Sequence, residues 1–141
     1  MSNRDEEIVA DVRRALAAYS RGDFEAAMTN VHPEIELVPA GGQPTLKGAS
    51  QFRAWMEPDA FESQVVELLD AWVAGNKVLL RTNSHIKGGG SGIEADFVTW
   101  AVWTYDDTGR AIRIEIFLDH EKAEALEAAG LSEARLSEHS E

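Results

Sequence analysis

Gly92–His120 reads GIEADFVTWAVWTYDDTGRAIRIEIFLDH, and its pattern decides the fold. Two runs rich in β-branched and aromatic residues flank Asp106-Asp107-Thr108-Gly109, a polar cluster ending in glycine. That arrangement predicts a β-hairpin. In the second run Ile112, Ile114, Ile116 and Leu118 share one parity, and Arg113, Glu115, Phe117 and Asp119 the other. Successive strand side chains alternate faces, so the isoleucine row is expected to look into a core. In the first run Ile93, Ala95, Phe97, Thr99, Ala101, Trp103 and Tyr105 share that inner face. The opposite row opens with Glu94 and Asp96 but continues as Val98, Trp100 and Val102. A turn centred near Asp107-Thr108 sets Val102 beside Arg113, Trp100 beside Glu115 and Val98 beside Phe117. The sheet is therefore expected to carry a covered inner face and a second apolar patch outside.

Upstream of the hairpin, Asn76–Lys87 alternates as cleanly. Val78, Leu80, Thr82, Ser84 and Ile86 form the inward row, whose middle is polar, and Gly88–Gly92 joins this strand to the next. Glu62–Trp72 is another long strand, of a parity the sequence leaves open. Near the N-terminus, Ile8, Val12, Leu16 and Tyr19 recur at helical spacing through Asp5–Ser20. Gly22 ends that helix, and Asp23 is placed to cap a short second one carrying Phe24, Ala27, Met28 and Val31 as far as Pro33. Glu34–Val38 alternates as a strand with Ile35 and Leu37 inward, and residues 39–44 form a loop. A third helix starts at Ser50, its expected cap, and stops before Pro58. Asp119 is the expected cap of a last helix, Glu121–Ala129, closed by Gly130. Residues 131–141 are acidic and serine-rich, and are expected to fray. Helices first and then a run of strands give an α+β fold, a cone-shaped barrel of curved, mainly antiparallel sheet wrapped on N-terminal helices. One domain is expected over 1–130.

Composition narrows the partners. The 141 residues are 44% hydrophobic and 27% charged, with 25 acids against 13 bases and a formal net charge of −12. Such a surface repels phosphate backbones and anionic lipid, so neither nucleic acid nor membrane is expected as a partner. The absence of cysteine excludes disulfides and thiol chemistry. MSNRDEEIVADV has no apolar run after a basic start, so no signal peptide is predicted, and a cytoplasmic location is the expectation. No His and carboxylate set has metal-ligand spacing, and no metal or cofactor is expected.

These elements resemble the SnoaL-like branch of the nuclear transport factor 2-like superfamily, with its ketosteroid isomerases, limonene epoxide hydrolases and polyketide cyclases. The resemblance runs from about Val9 to Leu131. It is carried by Tyr19-Ser20-Arg21-Gly22-Asp23-Phe24, by His32-Pro33-Glu34-Ile35-Glu36 and by Leu46-Lys47-Gly48. Ser91 to Asp96, Val102-Trp103-Thr104 and Gly109 to Asp119 continue it. The resemblance implies a conical ligand pocket, and it also implies where catalytic groups would stand. The isomerase base would fall near Pro39, its tyrosine donor near Ala15 and its protonated aspartate near Ala101. The hydrolase Arg and Asp would fall near Thr82 and Ser84, and the last-strand aspartate near Ile116. None of these residues can do that proton chemistry.

The expectation is therefore a pocket that binds a small, largely apolar molecule, polyketide-, steroid- or terpenoid-like. Tyr19, Trp55, Phe97 and Trp103 are its expected aromatic lining. Leu37, Leu80, Ala101, Ile114, Ile116 and Leu118 complete its apolar wall. Thr82, Ser84 and Thr99 are placed to meet a ligand hydroxyl or carbonyl, or to bond each other. One alternative is an enzyme of this fold using His32 or Tyr19 as an unfamiliar base. Another is a dimeric interaction module whose cone is filled core. Val98, Trp100, Val102 and Phe117, rimmed by Arg113 and Glu115, are the expected interface of a two-fold homodimer.

Overall fold

The computed structural model describes residues 3–57, 61–88 and 92–137. Helices α1 (Asn3–Ser20) and α2 (Phe24–Ala27) lead into strand β1 (Val31–Val38), the two-residue β2 (Leu46–Lys47) and helix α3 (Ala49–Met56). Four long strands follow: β3 (Phe61–Ala74), β4 (Lys77–Gly88), β5 (Glu94–Tyr105) and β6 (Ala111–Leu118). Helices α4 (Lys122–Ala129) and α5 (Glu133–Ser137) end the described chain. One curved sheet in the order β2-β1-β6-β5-β4-β3 is antiparallel throughout except where β1 runs parallel to β6. The α+β cone expected from the sequence is this sheet closed over by α1 and α3.

Ile8, Val12, Ala15 and Ala18 form the buried stripe of α1. They meet Ile35, Leu37, Val78, Leu80, Trp103, Tyr105 and Ile114 in one core. A hydrogen-bond pair fastens the end of α1 to the sheet: the Val66 N–H donates to Ser20 Oγ at 2.9 Å, and Ser20 Oγ donates back to the Val66 carbonyl at 3.4 Å.

Several boundaries differ from the expectation for local reasons. Asp23 does cap α2, accepting from the Ala26 N–H at 3.1 Å, but the helix stops at Ala27 and Val31 through Pro33 belong to β1. Gly48, not Ser50, precedes the first residue of α3, and Gln51 Oε1 takes the Lys47 N–H at 2.8 Å. Asp119 is not the cap of α4; it forms an ion pair with Arg81 at 2.5 Å, and Glu121 precedes the helix. Within the tail expected to fray, Leu131 and Leu136 pack on the outer cluster and Lys122 pairs with Glu133 of α5 at 3.0 Å. The remainder of that tail, 138–141, lies outside the described residues, as does part of the Gly88–Gly92 link.

Two bulges matter most. On β3 the register shifts between Leu68 and Asp70, so Gln64, Val66 and Leu68 face in, and after the extra residue Ala71 and Val73 do. The parity of this strand changes midway, and no single alternation fits it. On β6 the pairs Thr104↔Arg113 and Tyr105↔Ala111 leave Ile112 as the extra residue. Ala111 takes the inward place assigned to Ile112, which is half-buried. Pairing of the hairpin is consequently two residues from the expected register, with Val102 opposite Glu115 and Trp100 opposite Phe117. Asp106 sets this geometry. Its carboxylate accepts from the Thr108 hydroxyl at 2.6 Å and from the Thr108 and Arg110 N–H groups at 2.9 and 3.0 Å. Gly109, at φ +87°, supplies the left-handed residue the five-residue loop needs.

The outer patch is real but covered. Trp100 and Val102 are buried with Leu79 beneath Ala125, Leu126 and Ala129 of α4, and Trp72 and Phe117 pack at its edge. Arg81 lies 4.2 Å above the Trp100 ring, and the Trp100 indole donates to the Asp119 carbonyl at 3.2 Å. Trp100 and Val102 thus cannot form the centre of an exposed interface. The chain satisfies that face with its own C-terminal helix, which the hairpin alone did not reveal.

Candidate functional site

Under α1 and α3 the concave face of the sheet does not close onto solid core. A cavity of about 480 Å³ remains, within the range of small-molecule pockets. Its floor is sheet. Leu80, Thr82 and Ser84 come from β4; Phe97, Thr99, Ala101 and Trp103 from β5; Ile114, Ile116 and Leu118 from β6. Tyr19 and Trp55 close the helical side. Of the thirteen residues expected around a pocket, all but Leu37 lie on this wall. Leu37 is wholly buried in the main core instead, beside the wall rather than on it. Positions that the sequence reading left out, Asp11, Arg14, Phe52, Met56 and Gln64 among them, also line it.

The rim is apolar. Trp55, Phe97 and Leu118 line the cavity and are nevertheless 41%, 43% and 37% exposed, so they frame an opening. Leu118, expected in the core, is exposed because it stands at this mouth. Trp55 is held by stacking on Phe52, with planes 12° apart and centroids 6.2 Å apart.

Polar groups occupy two zones. In the first, Thr82 and Thr99 face each other across β4 and β5 and share a hydrogen bond of 3.0 Å. Ser84, 5% exposed, makes no side-chain hydrogen bond among the described residues and faces the cavity. Tyr19 donates to Gln64 Oε1 at 2.9 Å, and burial pushes its phenol pKa up. In the second, Asp11 stands one helical turn before Ala15. Its Oδ2 accepts the Tyr105 hydroxyl at 2.8 Å, and its Oδ1 pairs with Arg14 Nη2 at 2.8 Å. Arg14 Nη1 donates to the Ala26 carbonyl at 2.7 Å. Burial, and then the Asp11 charge, holds the Tyr105 phenol well above its ordinary range. The sequence carries no distinct signal for this zone, since Asp11 and Arg14 read as an ordinary i, i+3 pair on a helix face.

The two candidate bases separate. Tyr19 is on the wall; His32 is not, and its Nδ1 accepts the Glu34 N–H at 2.9 Å on the surface of β1. The positions where the resemblance sets catalytic groups, Ala15, Pro39, Thr82, Ser84, Ala101 and Ile116, are all on the wall. Outside, His85 bridges Glu94 and Asp96 at 2.8 and 3.0 Å, while Arg81 pairs with Asp119. Among the described residues no group of three or more His, Asp or Glu is placed to hold a metal ion. No helix among them is long and apolar enough to cross a membrane.

Comparison with known proteins agrees with this geometry. The family model described as SnoaL-like domain matches residues 12–114. A SnoaL-like polyketide cyclase from Jannaschia sp. CCS1 superposes with a TM-score of 0.74 at 18% identity, covering 88% of this chain and 93% of that one. TerC co-crystallised with polyporic acid gives 0.69 at 19%, covering 85% and 97%. A limonene epoxide hydrolase-like epoxide hydrolase from M. tuberculosis gives 0.69 at 17%, covering 86% and 85%. No match is found among the curated proteins.

Proposed function

The chain belongs to the SnoaL-like domain family, and from that premise we propose that it binds a small, largely apolar molecule, polyketide-, steroid- or terpenoid-like, in the cavity beneath α1. The observation that carries this reading is the cavity itself. About 480 Å³ stands open behind an aromatic rim, lined mainly by aliphatic and aromatic side chains, with a few hydroxyls and amides and the Asp11–Arg14 pair. An unfilled space of that size costs stability in a chain with no use for it, which disfavours a filled-core interaction module.

Binding without turnover is the better reading of the wall. Ala15, Pro39, Ala101 and Ile116 occupy the places where this superfamily's proton-transferring groups would stand, and none can exchange a proton. Tyr19, the remaining candidate base, already donates its proton to Gln64 and is harder to ionise than a free phenol. At neutral pH it serves as a hydrogen-bond donor, not as a base.

Trp55 and Trp103 report on occupancy, since both line the space. Titration with 1-naphthol is expected to quench tryptophan emission saturably at one molecule per chain. Ala101→Phe fills the cavity from its floor and is expected to weaken binding at least tenfold while leaving the circular dichroism spectrum unchanged. Absence of saturable binding of 1-naphthol by the wild type would overturn the proposal.

A further inference from the structure

The shape and polarity of the cavity say more about its ligand than that it is apolar. Along β5 the wall runs from Phe97 to Trp103, about 20 Å of strand; along α1 it runs from Asp11 to Tyr19, about 12 Å of helix. The lining is thus longer along the sheet than along the helix. Its ends differ. Trp55, Phe97 and Leu118 make one end aromatic and open. Asp11, Arg14 and Asn30 lie toward the other, beside Ala111 and next to the Tyr105 hydroxyl.

Among the described residues Asp11 and Arg14 are the only charged ones on the wall; they pair with each other at 2.8 Å, Asp11 the more buried of the two. Their hydrogen-bonding capacity is not exhausted. Arg14 carries five N–H donors; Nε and one on Nη2 go to Asp11, and one on Nη1 goes to Ala26. Two are left over among the described residues, on a guanidinium that lines the cavity. Asp11 Oδ1 already accepts twice from Arg14, while Oδ2 keeps one lone pair beyond the Tyr105 bond. Such a pole offers donor and acceptor side by side, and the carboxylate beside it repels an anion. The net charge of −12 disfavours anions further.

We propose that the ligand is an elongated molecule, apolar along its length, whose leading end bears a neutral group that both donates and accepts, such as a hydroxyl, docked on Asp11 and Arg14. The inference rests on the binding reading above and adds length, polarity and orientation to it. The head enters past Trp55 and Phe97, the shaft lies on Leu80, Ala101 and Ile114, and the tail ends at the aromatic rim.

Straight-chain 1-alkanols of eight to sixteen carbons test this, competed against bound 1-naphthol, with the carboxylates of equal length alongside. Affinity of the alcohols is expected to rise about threefold to fourfold per methylene and to level off once the tail reaches the rim. Carboxylates are expected at least tenfold weaker at neutral pH. Asp11→Asn keeps the shape and removes the repelling charge, so the carboxylates should gain at least tenfold on the alcohols. Arg14→Gln leaves Asp11 without its counter-ion and should move that ratio the other way. Opposite movement in the two variants is a signature that a merely structural role would not give. Affinity independent of chain length, or equal changes for alcohols and acids in both variants, would overturn the inference. If 1-naphthol still bound, the cavity reading would survive it.

Discussion

At the scale of single residues, the groups that matter are those whose hydrogen bonds cross between elements. Tyr105 reaches from β5 to Asp11 on α1, and its hydroxyl meets an ionised carboxylate in the part-buried end of the cavity. Tyr105→Phe is expected to cost about 1–3 kcal/mol, as for a hydrogen bond to a charged group, read from urea unfolding; no loss would show that the pair is solvated. His85 makes a pH prediction. Its bonds first to Asp96 and then to Glu94 raise its pKa above the ordinary value of 6.5. Its protonated form is favoured by folding, so its contribution is complete below 6.5 and is lost as pH rises through the raised value. The difference in melting temperature between wild type and His85→Gln should therefore be larger at pH 5.5 than at pH 8.5, and an equal difference at both would contradict the bridge. Asp106 behaves in the opposite sense. Hydrogen bonds from the Thr108 hydroxyl and the Arg110 backbone, the two strongest causes, take its pKa down to about 2, so its support of the turn fades only in strong acid. Residue identity alone showed the hydroxyl zone of the pocket, because Thr82, Ser84 and Thr99 interrupt apolar rows. It did not show Asp11 and Arg14, whose acid and base look like any exposed helical pair until Tyr105 is seen beside them.

At the scale of elements, alternation was legible wherever a strand stays in register, and lost wherever it bulges. The rows of β4 and β5 lie as their sequence says over Leu80, Thr82, Ser84, Thr99 and Ala101, which face in, but Ile93 and Ala95, expected on the same face, are exposed at the start of β5. One extra residue at Leu69 and another at Ile112 redirect β3 and β6, and a bulge has no sequence mark of its own. The covered outer face has a different cause. Whether an apolar face meets solvent or a later helix depends on where that helix folds back, and α4 is weakly patterned by small alanines. Ala125, Ala128 and Ala129 allow its close approach to Trp100 and Val102. Gly130, at φ +73°, then turns the chain so that Leu131 reaches the same cluster. Leu126→Asp, which buries a charge against Leu79 and Trp100, is expected to cost about 2–5 kcal/mol in chemical denaturation. Trp100→Glu should likewise destabilise the fold itself; a fully stable Trp100→Glu protein would show that α4 does not cover the face in solution.

At the scale of the whole molecule, the sheet is used on both sides for unlike purposes. Its convex face is covered over β4, β5 and β6 by α4, which contributes stability; its concave face is left partly unfilled under α1 and α3. The first could not be foreseen from a hairpin, whereas the second followed from helices preceding a curved sheet with polar residues on its inner row. Ligand occupancy of the concave face is the central claim, and a methyl-resolved NMR titration with 1-naphthol tests it by location. Methyl signals of Leu80, Ile114, Ile116 and Leu118 on the cavity wall are expected to shift saturably together, while those of Leu79, Val102 and Leu126 in the outer cluster stay in place. Shifts confined to the outer cluster, or none at saturating 1-naphthol, would contradict it.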